Sequence, residues 1–293
     1  MATYNGARFI EEQLQSIVNQ TYPNIEIVIT DDCSTDDTYN IIQRYASQHA
    51  NIACYLNRRN IGYIKNFEKA IKLSTADYIA LSDQDDIWRP GKIALMMQHI
   101  NDASVVYCDS EFIDANGNSL NKKLSDIKNL QPVNDSLPFM VNNGVFGHAM
   151  LMHKCIALQA MPFPKDCVHD WVIAFVASSS NGVKFVNEPA VQYRQHADNT
   201  ANTKKKNRCS YHEEMNSIRR RIKALAAIAV KTNCTDKDII VKMADSYNSF
   251  SLVNNFKRML LFFKYRHRLT VFKKKRSDFK RMLFCIKTFY KLV

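Results

Sequence analysis

Short apolar runs alternate with helically spaced apolar positions along the first two thirds of the chain. The runs predict strands at residues 25–29, 52–56, 78–81, 105–108, 149–152, 183–186 and 190–193. Apolar positions that recur about every 3.6 residues predict helices at residues 7–20, 37–47, 67–73 and 92–100. Strands that alternate with helices are typical of an α/β protein with a mainly parallel, Rossmann-like sheet flanked by helices.

The last third of the chain has a different pattern. Residues 208–255 predict two helices, and at residues 256–293 basic and apolar side chains interleave as in an amphipathic helix. The charge changes near the lysines at 204–206, because residues 1–203 hold 16 basic and 22 acidic residues whereas residues 204–293 hold 24 and 6. The sequence therefore predicts an α/β domain at 1–203 and a basic helical C-terminal region at 204–293.

The basic region allows three interpretations. Basic amphipathic helices bind the interface of anionic membranes, nucleic acids attract the same charge, and such helices also pack as an appendage on a neighbouring domain. The many leucines and aromatic residues favour a membrane over a nucleic acid. We expect truncation after Asn255 to release the protein from anionic vesicles while the activity of the α/β domain survives.

Cysteine usage and the lack of long apolar runs indicate in which cellular compartment the protein is found. The eight cysteines are scattered without a CxxC pair, which argues against a zinc ribbon and favours a reducing environment. We see no run of 18 apolar residues and no basic-then-apolar leader, so neither a transmembrane helix nor a signal peptide is expected. These features predict a cytoplasmic protein, peripheral on the inner face of the cell membrane.

Three carboxylates follow the apolar run at residues 78–81. Asp83, Asp85 and Asp86 would lie at the carboxyl end of a strand, where open α/β sheets bind ligands. Carboxylates there can hold a hard divalent cation, which in turn holds a diphosphate. The alternative is a solvated acidic turn in which Asp86 caps the helix that begins near Pro90.

Six short motifs occur in the order found in one enzyme family. They are ATYNG at 2–6, TDDCSTD at 30–36, NIG at 60–62 with KN at 65–66, DQD at 83–85, HDW at 169–171, and YRQH at 193–196 with Asn199. Over roughly residues 1–203 the chain thereby resembles family 2 glycosyltransferases with the GT-A fold, in particular their rhamnosyltransferase-like branch. The resemblance implies a nucleotide half at about 1–108 and an acceptor half at about 109–203.

The resemblance also implies a role for individual residues. The nucleotide-diphospho-sugar donor would contact Thr3, Tyr4, Asp32, Asn60, Gly62, Lys65, Asp83 and Arg194. The metal, Mg²⁺ or Mn²⁺, would be held by Asp83, Asp85 and His196. The acceptor would contact Gly147, His148 and Trp171, and Asp170 would be the general base that deprotonates its hydroxyl.

Structural roles remain open for several of these residues. Asp32 and Asp170 are also placed to cap helices, and Lys65 is also consistent with a solvated lysine. His148 and His196 also have an alternative as ordinary structural histidines.

The activity implied by the resemblance is that of an inverting glycosyltransferase. It would move one sugar, rhamnose or a similar one, from a dTDP or UDP donor to a lipid-linked glycan in bacterial surface polysaccharide synthesis. The QxxRW motif of processive synthases is absent, which favours transfer of a single sugar. The alternative is a catalytically inactive, membrane-associated protein that binds sugar nucleotides or serves as a scaffold.

The alternative arises because the family's first strand looks truncated here. Only Met1 precedes Ala2, whereas family members carry an apolar strand at this point. We expect an upstream start codon that supplies about five to ten apolar, β-branched residues, the length of an ordinary strand. Their restoration is expected to raise the melting temperature and the donor affinity.

Overall fold

The structure is a computed structural model that describes residues 1–197, 211–274 and 277–290. Asn199 and the lysines at 204–206 lie outside these ranges. The described strands are β1 (Ala2–Thr3), β2 (Ile27–Asp31), β3 (Ile52–Leu56), β4 (Tyr78–Ala80), β5 (Ile87–Trp88), β6 (Val105–Ile113), β7 (Ser119–Lys123), β8 (Met150–His153) and β9 (Val183–Arg194).

Twelve α-helices lie in the described residues. They are α1 (Ile10–Val18), α2 (Thr38–Gln48), α3 (Tyr63–Leu73), α4 (Lys92–Ile100), α5 (Leu124–Ile127), α6 (Lys154–Ala160), α7 (His169–Ser178), α8 (Tyr211–Lys231), α9 (Lys237–Asp245), α10 (Leu252–Lys264), α11 (Arg266–Leu269) and α12 (Asp278–Tyr290). Two 3₁₀ turns span Leu137–Met140 and Gly147–Ala149. The helices and strands predicted before residue 119 are present, with ends shifted by up to a few residues.

The strands form two sheets. β1, β2 and β3 make a parallel sheet in that order, and the other six strands follow the order β4-β8-β6-β9-β5, with β7 paired to β6. In the second sheet only the β6–β9 pair is parallel among the described strands, so parallel pairing is less extensive than the sequence predicts. Part of the difference is local, because β7 follows β6 through a tight turn and must run antiparallel to it.

An apolar slot of about 240 Å³ separates the two sheets. Met1, Val28, Phe67, Ile79 and Leu81 are among the residues that line it. On one side of the slot, β1 pairs with β2 over only two residues. On the other side, β4 pairs with β8 along the edge that faces away from the slot. The slot therefore lies where a longer first strand would run between β2 and β4.

The polar residues 119–137 predict a mobile loop over the acceptor site, but residues 119–127 are more regular than such a loop. β7 and the short helix α5 occupy them, and Ser125 Oγ donates to Asp109 Oδ2 at 2.6 Å. Further along, Val133 forms an isolated antiparallel bridge with Val183. The loop prediction was wrong here because polar residues on an exposed hairpin strand give no apolar signal.

The C-terminal helices share a core with the α/β part of the chain. Phe262, Leu269 and Phe272 belong to the same continuous cluster of buried side chains as Phe139. The Phe272 and Phe139 rings meet edge to face, with centroids 5.2 Å apart. None of the helices in the described residues combines the length and the apolar character needed to cross a lipid bilayer.

Candidate active site

The carboxylates of the DQD motif lie on the loop between β4 and β5. Burial raises the pKa of Asp83 to about 7, and repulsion from Asp85 and Asp170 adds to the rise. The predicted metal ligands and the predicted base are therefore close enough to interact, although they are far apart in sequence. This loop is the centre of the candidate site.

Gln84 ties this loop to the end of β1. Its Oε1 accepts from the Tyr4 backbone N–H at 2.9 Å, and its Nε2 donates to the Tyr4 carbonyl at 3.0 Å. We call the two hydrogen bonds between Gln84 and the Tyr4 backbone the Gln84 clamp. A Cβ on Gly6 would lie 2.4 Å from the Gln84 side chain, so a larger residue at position 6 would displace this clamp. Sequence reasoning missed this function of Gln84, and its central position in the DQD motif was the available signal.

Asp85 and His196 come together as the sequence predicts, with Oδ2 and Nε2 2.9 Å apart. The buried Arg194 guanidinium anchors the same loop. Its Nε donates to the Asp85 carbonyl at 2.8 Å, its Nη1 to the Ala115 carbonyl at 3.2 Å, and its Nη2 contacts the Glu12 carboxylate. The contact of Arg194 with a donor phosphate stays a prediction.

Asp86 is not the helix cap that the sequence allowed. Helix α4 begins at Lys92, and Gly91 is its N-cap. Asp86 is fully buried, its Oδ1 accepts from the Arg194 backbone N–H at 3.0 Å, and its Oδ2 has no hydrogen-bond partner among the described residues. Burial raises the pKa of this carboxyl well above its ordinary value.

Asp83, Asp86 and His148 form a cluster that could also hold a metal. Each offers one ligand atom, and these atoms lie within 4.8 Å of one another. The buried Lys92 ammonium donates to the His148 carbonyl at 2.6 Å and lies 3.4 Å from the centroid of the Trp88 ring. Burial lowers the pKa of Lys92 to about 7, although the nearby carboxylates act to raise it. Sequence reasoning missed Lys92.

Asp32 joins the second and third motifs. Its Oδ1 accepts from Asn57 Nδ2 and from the Ile61 backbone N–H, and its Oδ2 accepts from the Gly62 backbone N–H, each at 2.8 Å. Gly62 has a φ of 83°, a conformation that favours glycine, and its N–H also reaches Asn60 Oδ1 at 3.0 Å. Asp32 thus holds the loop after β3 and does not cap α2.

Three more of the residues that are predicted to contact the nucleotide are Thr3, Tyr4 and Lys65. Thr3 Oγ1 donates to Asp31 Oδ2 at 2.8 Å, and Ser34 donates to both oxygens of that carboxylate through its N–H and its hydroxyl. The Tyr4 side chain is exposed, and the exposed Lys65 lies near the N-terminus of α3. Their contacts with a nucleotide stay predictions.

Asp170 lies in the first turn of α7 and is fixed by backbone N–H groups. Gly147 donates to its Oδ2 at 3.0 Å and Trp171 to its Oδ1 at 2.5 Å. Burial raises the pKa of Asp170 to about 6, and these two hydrogen bonds oppose the rise. A carboxylate with this pKa is ionised at neutral pH and still basic enough to accept a proton.

The three predicted acceptor residues are held by the protein itself. A Cβ on Gly147 would lie 3.4 Å from Asp170 Cβ, so the close approach that this glycine permits is that of Asp170. Trp171 Nε1 donates to a backbone carbonyl at 2.7 Å. His148 is 3% exposed and stacks on Tyr193 with ring centroids 4.3 Å apart, which favours its structural alternative.

Comparison with known sequences identifies the family. The model of glycosyl transferase family 2 matches residues 1–157. The chain belongs to glycosyl transferase family 2. It is 35% identical over 212 residues to the dTDP-rhamnosyl transferase RfbG of Shigella flexneri. This alignment covers 68% of the chain and 72% of RfbG. It is also 35% identical over 112 residues to the UDP-Glc:alpha-D-GlcNAc-diphosphoundecaprenol beta-1,3-glucosyltransferase WfaP of Escherichia coli, covering 38% of this chain and 44% of that one.

Comparison with solved structures shows the fold. The S. aureus TarS structure in complex with UDP-GlcNAc matches with a TM-score of 0.63 and 16% identity, covering 99% of this chain and 87% of that chain. The family 2 enzyme described here thus has the GT-A fold that its motifs implied, followed by C-terminal helices.

Proposed function

We propose that this protein transfers one sugar from a nucleotide-diphospho-sugar to a glycan hydroxyl, with inversion at the anomeric carbon. The observation that carries the proposal is the position of Asp170, a half-buried carboxylate with a pKa of about 6 that interacts with Asp83 of the DQD loop. In-line displacement needs a base and a diphosphate-binding group held at one site. Membership of the family supports the same reaction class.

In this mechanism Asp170 accepts the proton of the acceptor hydroxyl. The hydroxyl oxygen forms a bond to the anomeric carbon while the bond from that carbon to the diphosphate breaks on the opposite face. The N–H groups of Gly147 and Trp171 hold the two Asp170 oxygens in place, so little reorientation is needed when the acceptor arrives.

Asp83, Asp85 and His196 are the residues that we propose hold Mg²⁺ or Mn²⁺. Carboxylate oxygens suit either ion, and a cation would offset the burial and the repulsion that raise the pKa of Asp83. The Asp85 side chain is 20% exposed and so can reach a bound diphosphate, whereas Asp86 and His148 lie buried beneath it. When bound, the ion would neutralise charge on the leaving diphosphate.

The donor is proposed to be a dTDP or UDP sugar, rhamnose or a similar hexose. The dTDP-rhamnosyl transferase activity of RfbG and the UDP-Glc-dependent activity of WfaP support these nucleotides, and the diphosphoundecaprenol acceptor of WfaP supports a lipid-linked glycan acceptor. We propose that transfer to such an acceptor takes place at the cytoplasmic face of the cell membrane. The donor would contact Thr3, Tyr4, Asp32, Asn60, Gly62, Lys65 and Arg194.

Thermal-shift screening of nucleotide sugars with and without Mn²⁺ tests the donor, because a ligand that binds only the folded state raises the melting temperature. Incubating the donor that binds with lipid-diphospho-sugar acceptors then tests transfer. We expect a dTDP or UDP sugar to bind and one residue to be added with inversion. Binding without transfer to any acceptor, and without donor hydrolysis, would instead support the inactive scaffold.

A further inference from the structure

Exposed apolar side chains concentrate on one face of helix α10. Leu252, Phe256, Leu260 and Phe263 are 64, 50, 51 and 38% exposed. Their spacing of four, four and three residues places them in one stripe along the helix. The opposite face of α10 is buried, so this stripe is not the side that packs on the protein.

Helix α12 repeats the same arrangement. Phe279, Leu283 and Ile286 are 68, 40 and 41% exposed and are spaced by four and three residues. The two helices pack against each other, with the rings of Phe262 and Phe284 6.1 Å apart at their centroids. Two exposed apolar stripes therefore belong to one helix pair.

Each stripe is bordered by two exposed lysines seven residues apart. Lys257 and Lys264 lie beside the α10 stripe, and Lys280 and Lys287 lie beside the α12 stripe. At about 100° per residue, two positions seven apart fall on the same side of a helix. We call the seven apolar residues and these four lysines the docking face.

We propose that the docking face binds the surface of an anionic membrane, with its phenylalanines and leucines inserted among the lipids. Lysines beside an apolar stripe complement acidic headgroups above an acyl layer. A second copy of the chain fits less well, because residues 252–293 hold thirteen lysines and arginines and a single acidic residue, Asp278. A nucleic acid would leave the apolar stripes in water.

Docking in this way has a consequence for catalysis that rests on the proposed function. The segment between α11 and α12 is joined to the acceptor half, since the Asn129 N–H and the Lys274 ammonium donate to the Phe272 and Asp126 carbonyls at 3.2 and 2.6 Å. Membrane contact would therefore hold the acceptor half close to the lipid surface. A lipid-linked acceptor could then reach the site without leaving the bilayer.

Sedimentation of the full-length protein with phosphatidylglycerol–phosphatidylcholine vesicles, and with phosphatidylcholine alone, tests the proposal. We expect binding only to the phosphatidylglycerol vesicles, weakened by salt. Because each lysine near an anionic leaflet strengthens binding about fivefold, K257E/K264E should weaken it by roughly thirtyfold or more. F256Q/L260Q and F279Q/L283Q should weaken binding as well.

The control variants carry the same kinds of substitution outside the docking face. K223E/K242E reverses two exposed lysines of α8 and α9, and V230Q makes an exposed apolar residue polar, so both variants should bind vesicles normally. Equal binding by the docking-face and control variants, equal binding to phosphatidylcholine, or self-association that the docking-face variants abolish would each overturn the proposal. So would tight binding to RNA that excludes vesicles.

Donor binding separates this inference from the proposed function. The docking-face variants should keep the donor-induced thermal shift of the parent protein, because none of the changed residues contacts the candidate site. Sugar transfer without vesicle binding would refute the docking face and leave the proposed function standing. Vesicle binding without transfer from any nucleotide sugar would refute the proposed function and leave the docking face standing.

Discussion

At Asp170, burial and two backbone N–H groups act in opposite directions on the carboxylate pKa. Burial is the larger effect and raises the pKa to about 6, while the hydrogen bonds from Gly147 and Trp171 favour the ionised form. Asp83 is raised further, to about 7, because neighbouring carboxylates add to its burial. Residues of the same chemical type are thus suited to different tasks by their surroundings.

Replacing Asp170 with Asn should lower the transfer rate at least about a hundredfold, a typical contribution of a general base. Donor affinity should stay unchanged, since the amide keeps the size of the side chain. In the parent enzyme kcat should fall as the pH drops below about 6, because the protonated carboxyl cannot accept a proton. Steady-state kinetics across pH would measure both effects.

Asp166→Asn is the matched control for this variant. Asp166 lies four residues away and pairs with Arg220 at the surface. Its replacement should leave the rate and the pH profile unchanged. Near-normal transfer by Asp170→Asn would remove Asp170 from the mechanism.

Asp85→Asn and Asp86→Asn should separate the two candidate metal sets. Asp85→Asn should weaken Mn²⁺-dependent donor binding by at least about tenfold, because it removes a charged ligand that can reach the diphosphate. Asp86→Asn should keep that binding and unfold at the same or a higher temperature, because it removes a buried carboxylate that lacks a full set of partners. Donor-induced thermal shifts measured with and without Mn²⁺ give both results, and the opposite pattern would assign the ion to Asp83, Asp86 and His148.

Among the secondary-structure elements, the short strand β1 begins directly after Met1, which lines the slot between the sheets. The α-amino group of Met1 donates to the Val28 carbonyl at 2.7 Å inside the slot between the sheets. Burial lowers the pKa of this amine from 8.0 to about 5. Between these values the unfolded chain binds more protons than the folded one, so stability should rise with pH across this window.

Fusing about six alternating valines and isoleucines to Met1 should fill the slot as a longer first strand. The added strand would pair with β2 and bury apolar side chains, so the melting temperature should rise and its dependence on pH between 5 and 8 should weaken. A glycine–serine extension of the same length should weaken the pH dependence without the gain in stability. Melting curves across pH measure this, and equal stability of the two fusions would show that the slot does not accept a strand.

Across the whole molecule, the C-terminal helices share a core with the second half of the α/β part. Phe272 lies against Gly144, where an added Cβ would come within 2.1 Å of its ring, and Arg268 pairs with Asp135 at 2.6 Å. Truncation after Asn255 would remove these contacts together with the buried Phe262. We therefore expect that truncation to destabilise the α/β part as well, so point variants are the better test of membrane binding.

Phe272→Ala should lower the free energy of unfolding by about 3–5 kcal/mol, the usual cost of deleting a buried aromatic ring. Phe256→Ala, on the exposed stripe of α10, should cost less than about 0.5 kcal/mol. The two residues are 1% and 50% exposed, so the same substitution isolates the effect of burial. Urea unfolding followed by circular dichroism measures both, and similar values would contradict the shared core.

The sequence by itself determined what local patterns can specify. Apolar spacing predicted most helices and strands, and six ordered motifs predicted the family and the GT-A fold, both now confirmed. The charge change near residue 204 predicted a basic helical C-terminal region, and the described helices of that region agree with it. Such features depend on residues close together in the chain, which is why they can be read from it.

Only the tertiary structure decided how distant residues meet. The sequence allowed Asp86 to be a cap, but its burial beneath the DQD loop is set by β9, more than a hundred residues away. The Gln84 clamp on Tyr4 and the buried Lys92 depend in the same way on long-range packing. Hydrogen bonds and burial between distant segments leave no periodic signal in the chain, so local patterns cannot reveal them.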